Sequence, residues 1–154
     1  MSQARRPLPV PDDLSRPFWD AAAAHQLALA RCARCATLSH PPGAVCPHCG
    51  SSEPDFAFTP VDGAGTIRSW TVMRRSFLPG FEVPFVLVDV ELAAQADLRL
   101  IGRLVDGPDA PLRLGAAVRV TFEDLEPGVA VPAFALEATR LLDAIRPLRA
   151  PPPA

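Results

Sequence analysis

The sequence predicts a mainly β protein with an N-terminal helix, a small metal-binding ribbon and a five-stranded barrel. Two closely spaced Cys-x-x-Cys pairs predict the ribbon, because such turns bring four soft ligands to one metal ion. After residue 54 the apolar residues alternate with a period of two, and turn signals separate the segments. This change of pattern predicts the barrel.

The N-terminal region combines a proline-rich, polar arm with one short helix. Residues 1–13 are expected to be extended, and Ser15 is a suitable cap for a helix with Pro17 in its first turn. Phe18 and Trp19 are large apolar groups on this helix, which is too short to be stable alone. They are candidates to dock the helix either on its own domain or on a partner protein.

The four cysteines are the candidate metal ligands. The second pair is followed by Gly50, which relieves a crowded turn, whereas the first pair is followed by Ala36. With four protein ligands no coordination position stays open, so we expect a structural metal. The ligands are Cys32, Cys35, Cys46 and Cys49.

The four cysteines also allow three other interpretations. A disulfide pair suits a secreted protein, but the first residues show no apolar segment of a signal peptide, and a cytoplasmic location is expected. A redox Cys-x-x-Cys comes singly at the start of a helix. Iron also accepts four thiolates, so zinc is favoured and iron stays open.

The strands are expected in two groups. A strand over Gln26–Arg31 leads into the first cysteine pair, and a Pro41-Pro42-Gly43 turn precedes the second. Phe56–Val61 alternates and is assigned to the barrel, and Gly102 is expected to form a bulge. Five strands with turns between them are compatible with the Greek-key barrel called the OB-fold. They are predicted over residues 66–73, 85–92, 98–105, 118–122 and 131–136.

Composition limits the classes of function. The chain has 154 residues and a net charge of −2, and all 15 basic residues counted as Lys+Arg are arginines. A slightly acidic chain has no general attraction for nucleic acid. No apolar run reaches the roughly 18 residues that a membrane span needs. A soluble protein is expected.

Several segments together resemble a known family. They are Arg16–Trp19, Leu27–Cys35, Pro41–Ser51, Gly63–Val72, Pro79–Leu87 and Val118–Asp124. In this combination the chain is similar to the zinc-ribbon/OB-fold proteins associated with acyl-CoA enzymes, a family long catalogued as a domain of unknown function.

The resemblance implies an N-terminal helix, a rubredoxin-like zinc ribbon and an OB-fold barrel. It also implies a non-catalytic subunit that accompanies a thiolase-like or related acyl-CoA enzyme and in some cases holds the CoA part of the substrate. The expected division is an arm and helix over 1–25, the ribbon over 26–53, the barrel over 54–140 and a disordered tail over 141–154.

Catalysis by this chain alone is not expected. All thiols are assigned to the metal, and His25, His40 and His48 have no evident Ser or Asp partner in the sequence. His48 is expected to be a solvated turn residue, and the acids at 123, 124 and 126 a solvated turn.

Two binding functions were compared. CoA phosphates favour arginine and the pantetheine arm favours apolar groups, so Arg74, Arg75 and Phe77 are candidate CoA-binding residues, although an ordinary charged hairpin loop has the same composition. The alternative is an OB-fold module for single-stranded nucleic acid, which needs a basic groove and stacking aromatics. The acidic balance and the absence of tyrosine favour the first function.

Overall fold

The computed structural model describes residues 5–137. The predicted tail over 141–154, the last residues of the predicted barrel segment and the start of the arm lie outside this range. The single helix within residues 5–137 has 8 residues, far fewer than a membrane-spanning helix needs.

The predicted N-terminal helix is present as α1, Arg16–Ala23. Ser15 is the N-cap residue and a proline follows it in the first turn. The Ser15 side chain makes no capping bond to the helix; instead the Ser15 N–H donates to Asp12 Oδ1 at 2.7 Å, and the Asp12 N–H donates to Ser15 Oγ at 3.1 Å. This reciprocal pair sets the angle at which the arm enters the helix.

The ribbon is a three-stranded antiparallel sheet. Its strands are β1 (Ala28–Arg31), β2 (Leu38–Ser39) and β3 (Ala57–Pro60), in the order β2-β1-β3. β1 begins two residues later than predicted. β3, which the sequence analysis placed with the barrel, pairs with β1 instead, Ala57 opposite Arg31. Alternation shows that a segment forms a strand, but it does not show which strand is the neighbour.

The barrel confirms the predicted five strands. They are β4 (Ala64–Met73), β5 (Phe85–Leu92), β6 (Arg99–Leu104), β7 (Ala117–Glu126) and β8 (Val129–Leu136). The barrel closes in the order β4-β5-β6-β8-β7, and among its strand pairs within residues 5–137 only β6–β8 is parallel. Closure leaves this sheet without a free edge.

One hydrophobic core joins the helix, the ribbon and the barrel. The alternating residues of β5 point into it, since Val86, Val88 and Val90 are fully buried. Phe18 of the helix, Leu29 of the ribbon and other buried residues belong to the same cluster. The three parts therefore pack as one unit.

The predicted bulge at Gly102 is not found. β6 pairs with β5 in continuous register through this residue, and the register shifts lie between Ile67 and Ser69 and between Asp124 and Glu126. A Cβ at Gly102 would lie 2.9 Å from Cδ2 of Phe134, which is fully buried. The glycine is needed because the Phe134 ring occupies the space of a side chain.

Candidate metal centre and neighbouring surfaces

The two Cys-x-x-Cys turns have the same backbone structure. In the first, the Cys32 N–H donates to Thr37 O at 3.0 Å and the Ala36 N–H donates to Cys32 O at 2.8 Å. In the second, Cys46 and Gly50 make the equivalent bonds, both at 2.9 Å. Each turn thus presents its two cysteines in the same way, from opposite sides of one point.

The equivalence extends to a left-handed residue after each pair. Gly50 has a φ of 73° and Ala36 a φ of 61°. This conformation is unstrained for glycine but costs about 1–2 kcal/mol for a residue with a Cβ. The glycine missing from the first turn is therefore replaced by a strained alanine in the same conformation.

The four thiols converge at distances that suit a tetrahedral metal. All four Sγ atoms lie within 4.8 Å of one another, with 3.9 Å between Cys32 and Cys49 and 3.8 Å between Cys35 and Cys46. Ligands about 2.3 Å from a tetrahedral ion are about 3.8 Å apart. Disulfide sulfurs would be about 2.05 Å apart, and all four cysteines are free.

The ionisation of the thiols also favours a bound cation. Hydrogen bonds from the side chain and backbone of Thr37 lower the pKa of Cys35 to about 6. A backbone hydrogen bond from Ser51 lowers the pKa of Cys49, but burial and the neighbouring thiols outweigh it and raise the pKa to about 11. Four adjacent thiols cannot all ionise alone, whereas a divalent metal stabilises the thiolates.

Each of the three histidines contacts another part of the chain. His48 is exposed, and its Nε2 also lies 3.1 Å from Leu38 O, so it connects the second cysteine turn to β2. His40 packs against the Phe18 ring, and burial lowers its pKa. His25 Nε2 lies 2.7 Å from Asp124 Oδ1.

A glutamine on the barrel completes the edge of the ribbon. Gln95 Oε1 accepts from the Leu38 N–H at 2.8 Å, and Gln95 Nε2 donates to Leu38 O at 3.0 Å. The side chain therefore replaces a missing neighbouring strand at the outer edge of β2. It fixes the metal ribbon relative to the barrel, and no sequence motif marks it.

The acidic residues near the end of β7 are not a simple solvated turn. Glu123 pairs with Arg6 of the arm at 3.3 Å and with Arg103 of β6 at 3.1 Å. The Arg6 guanidinium also stacks over the Phe81 ring, 4.6 Å from its centroid. The arm is thus held against the barrel by partners more than 70 residues away in the chain.

The candidate CoA residues lie in the loop between β4 and β5, residues 74–84. Arg74, Arg75 and Phe77 are all exposed, and Phe77 is 96% exposed. Neither arginine forms an ion pair with an acid of residues 5–137. All three residues are therefore accessible on the surface of the barrel.

Only one of the two candidate partner residues is accessible. Phe18 is 4% exposed and packs in the core of its own chain, edge-on to Trp19 at 4.9 Å between ring centroids. The helix therefore docks on its own domain through Phe18. Trp19 is half-buried and lines an apolar cavity of about 310 Å³ with Ile101 and Pro132. Contact of Trp19 with a partner stays a prediction.

Family models match both parts of the structure. The ChsH2 rubredoxin-like zinc ribbon domain matches residues 19–55, and the ChsH2 C-terminal OB-fold domain matches residues 58–123. These ranges cover the second part of α1, strands β1 and β2, most of β3 and the barrel as far as Glu123 of β7.

Two curated proteins share about a third of their aligned residues with this chain. A probable enoyl-CoA hydratase alpha subunit of Thermomonospora curvata is 35% identical over 134 residues, 86% of this chain. The 3-oxo-4,17-pregnadiene-20-carboxyl-CoA hydratase alpha subunit of Mycobacterium tuberculosis is 34% identical over 134 residues, 79% of this chain. The chain spans 40% and 42% of the lengths of these relatives.

This chain covers a larger share of the length of two solved structures than of the two curated relatives. A chain of the Ltp2-ChsH2(DUF35) aldolase is 33% identical with a TM-score of 0.73, covering 83% of this chain and 98% of that chain. A DUF35 protein of unknown function from Sulfolobus solfataricus shares the fold, with a TM-score of 0.54 and 12% identity, covering 81% of this chain and 86% of that one. The chain therefore belongs to the ChsH2 (DUF35) family of zinc-ribbon and OB-fold proteins.

Proposed function

We propose that this chain is a non-catalytic accessory subunit that assembles with a thiolase-like or related acyl-CoA enzyme. The observation that carries the proposal is the match to almost the whole DUF35 chain of the Ltp2-ChsH2 aldolase, whose name joins that chain to a second protein, Ltp2. The two curated relatives are named as alpha subunits of hydratases of CoA compounds, which also supports a role as a subunit.

The use of the side chains supports a non-catalytic role. The four thiols face one another in the candidate metal centre, and His25, His40 and His48 make contacts that connect parts of the fold. The hydratase names belong to polypeptides of which this chain spans about 40%. We therefore assign the chemistry to the partner enzyme.

The metal in this proposal is a structural zinc ion held by the four cysteines. The spacing of the Sγ atoms fits a tetrahedral thiolate site, and a closed set of four protein ligands is typical of structural zinc. Elemental analysis of the purified protein tests this: one zinc per chain is expected. One iron per chain, with the absorption of an iron–thiolate centre, would contradict zinc while preserving the ligand set.

A candidate role of the 74–84 loop within the complex, alternative to the protein contact proposed below, is to help bind CoA. Guanidinium groups bind phosphate, and Arg74 and Arg75 have no acidic partner within residues 5–137. Because these residues are exposed, the enzyme must supply the opposite wall of such a site. Calorimetric titration of CoA into the chain alone and into the complex tests this, and absence of heat in both would refute it.

Assembly is tested by co-purification. The tagged chain is co-expressed with an untagged thiolase-like enzyme from the same source, and stoichiometric recovery that survives gel filtration is expected. A thiolase-like enzyme from an unrelated source is the matched negative control. If acyl-CoA enzymes from the same source are not retained, the proposed function is wrong.

A further inference from the structure

The tip of the 74–84 loop is the most exposed apolar feature of the barrel. Phe77 is 96% exposed and the adjacent Leu78 is 56% exposed. A phenylalanine ring buries about 150–250 Å² when it is enclosed, so leaving it in water forgoes a large hydrophobic gain. Phe77 and Leu78 are adjacent, and contiguous exposed apolar groups mark interaction sites.

The loop is held at its tip and at its base. Ser76 Oγ donates to Leu78 O at 2.9 Å and accepts from the Leu78 N–H at 3.2 Å, which closes a turn around Phe77. At the base, Phe81 stacks on Phe85 with 5.3 Å between ring centroids.

The arm contacts the same base of the loop. The Arg6 guanidinium lies over Phe81, and Arg6 is itself paired with Glu123 at 3.3 Å. Phe81 therefore contacts both Arg6 and Phe85. The contacts at the tip and at the base restrict the loop, so less conformational entropy is lost when its tip is bound than for an unrestrained loop.

The charges beside the tip indicate what it meets. Arg68, Arg103 and Arg119 of the barrel have acidic partners, whereas Arg113 has none within residues 5–137. Arg74 and Arg75 are exposed and form no ion pair within residues 5–137. Two free guanidinium groups beside a projecting apolar tip are complementary to a pocket with an apolar floor and acidic residues at its rim.

We propose that Phe77 is an anchor that inserts into an apolar, acid-rimmed pocket of the partner enzyme. This inference rests on the proposed function and adds the site of contact. A phosphate group would neutralise the two arginines but would leave Phe77 and Leu78 in water. A protein pocket accounts for both the charges and the apolar tip, and aromatic residues in such pockets dominate binding energy.

The test measures binding of the full chain to the co-purifying acyl-CoA enzyme by biolayer interferometry. Phe77→Ala is expected to weaken binding at least tenfold, and Phe77→Trp to retain it. Leu114→Ala is the matched control, because Leu114 is 68% exposed in the connection between β6 and β7. It is expected to bind like the wild-type chain. Unchanged thermal unfolding of each variant verifies its fold.

A double variant, Arg74→Glu with Arg75→Glu, tests the acidic rim. We expect weaker binding and a smaller loss of affinity when salt is raised from 50 to 200 mM, because the attractive ion pairs are gone. A variant that keeps the wild-type salt dependence would contradict the acidic rim.

The outcomes separate the two proposals. If the wild-type chain binds no acyl-CoA enzyme, the proposed function fails. If it binds and Phe77→Ala binds equally well, the anchor alone is overturned. If the variants lose CoA binding but keep their affinity for the enzyme, the loop contacts ligand rather than protein, which also overturns the anchor.

Discussion

The metal ribbon contains two equivalent left-handed positions, one occupied by alanine and one by glycine. Exchanging these residue types should remove the free-energy cost of the left-handed conformation at one position and add it at the other. Ala36 and Gly50 occupy equivalent places after the two cysteine pairs, with φ of 61° and 73°. Ala36→Gly removes a strained alanine, and Gly50→Ala creates one. A Cβ at Gly50 would meet no atom within 4 Å, so the second change affects the backbone conformation alone.

The expected magnitude follows from two opposing terms. The left-handed conformation costs a residue with a Cβ about 1–2 kcal/mol. Glycine lowers stability by about 0.4–1 kcal/mol because it gives the unfolded chain more freedom. The difference predicts that Ala36→Gly stabilises the metal-loaded protein by about 1 kcal/mol and that Gly50→Ala destabilises it by about as much. For a chain of this size that is a change in Tm of about 2–4 °C.

Thermal unfolding of the metal-loaded variants, followed by circular dichroism, shows whether each substitution raises or lowers Tm. Chelator competition measures metal affinity, which should rise for Ala36→Gly and fall for Gly50→Ala, each by about fivefold for 1 kcal/mol. Gly128→Ala is the control, because Gly128 has a φ of 79° and open space in the turn between β7 and β8. It should lower Tm without changing metal affinity.

Two results would refute this reasoning. If Ala36→Gly lowers Tm as much as Gly50→Ala does, the strain assigned to Ala36 is wrong. If Gly128→Ala changes metal affinity as strongly as Gly50→Ala, the effect is not local to the cysteine turns.

Three further predictions follow from single residues. Cys46 is fully buried among the thiols. Cys46→Ser is expected to abolish stoichiometric metal binding and to unfold the ribbon, because a structural zinc ion contributes about 10–16 kcal/mol in isolated zinc fingers. Full metal content of this variant by mass spectrometry would contradict the prediction. Burial lowers the pKa of His40 below its ordinary 6.5; the neutral form is therefore favoured by folding, and the stability it brings is complete above about pH 6.5 and lost as the pH falls below that value. His40→Gln should give a flatter dependence of Tm on pH between 6.5 and 5.5, and parallel curves would refute it. Gly102→Ala places a methyl group against the Phe134 ring; overpacking of this kind costs about 1–3 kcal/mol, which urea unfolding measures, and an unchanged midpoint would show that the ring can move.

The cysteine cluster and the five barrel strands could be predicted from local sequence. A metal ribbon requires thiols at short spacing, and the two Cys-x-x-Cys pairs meet this requirement within 18 residues, from Cys32 to Cys49. The strands of the barrel could be located because one face of each is buried in the core, which forces apolar residues to alternate. Both signals come from neighbours in the chain.

Contacts between residues that are distant in sequence could be identified only from the tertiary structure. Glu123 meets Arg6 across 117 residues, Gln95 completes the edge of β2 across 57 residues, and Phe134 takes the space left by Gly102. Single positions carry no information about which distant segment will face them, because that depends on how the barrel closes and on how the ribbon packs against it. For the same reason the sequence marks the cysteines and the Arg74, Arg75 and Phe77 group, whereas only the tertiary structure shows that Phe77 is exposed and that Arg6 and Phe85 contact Phe81 at the base of its loop.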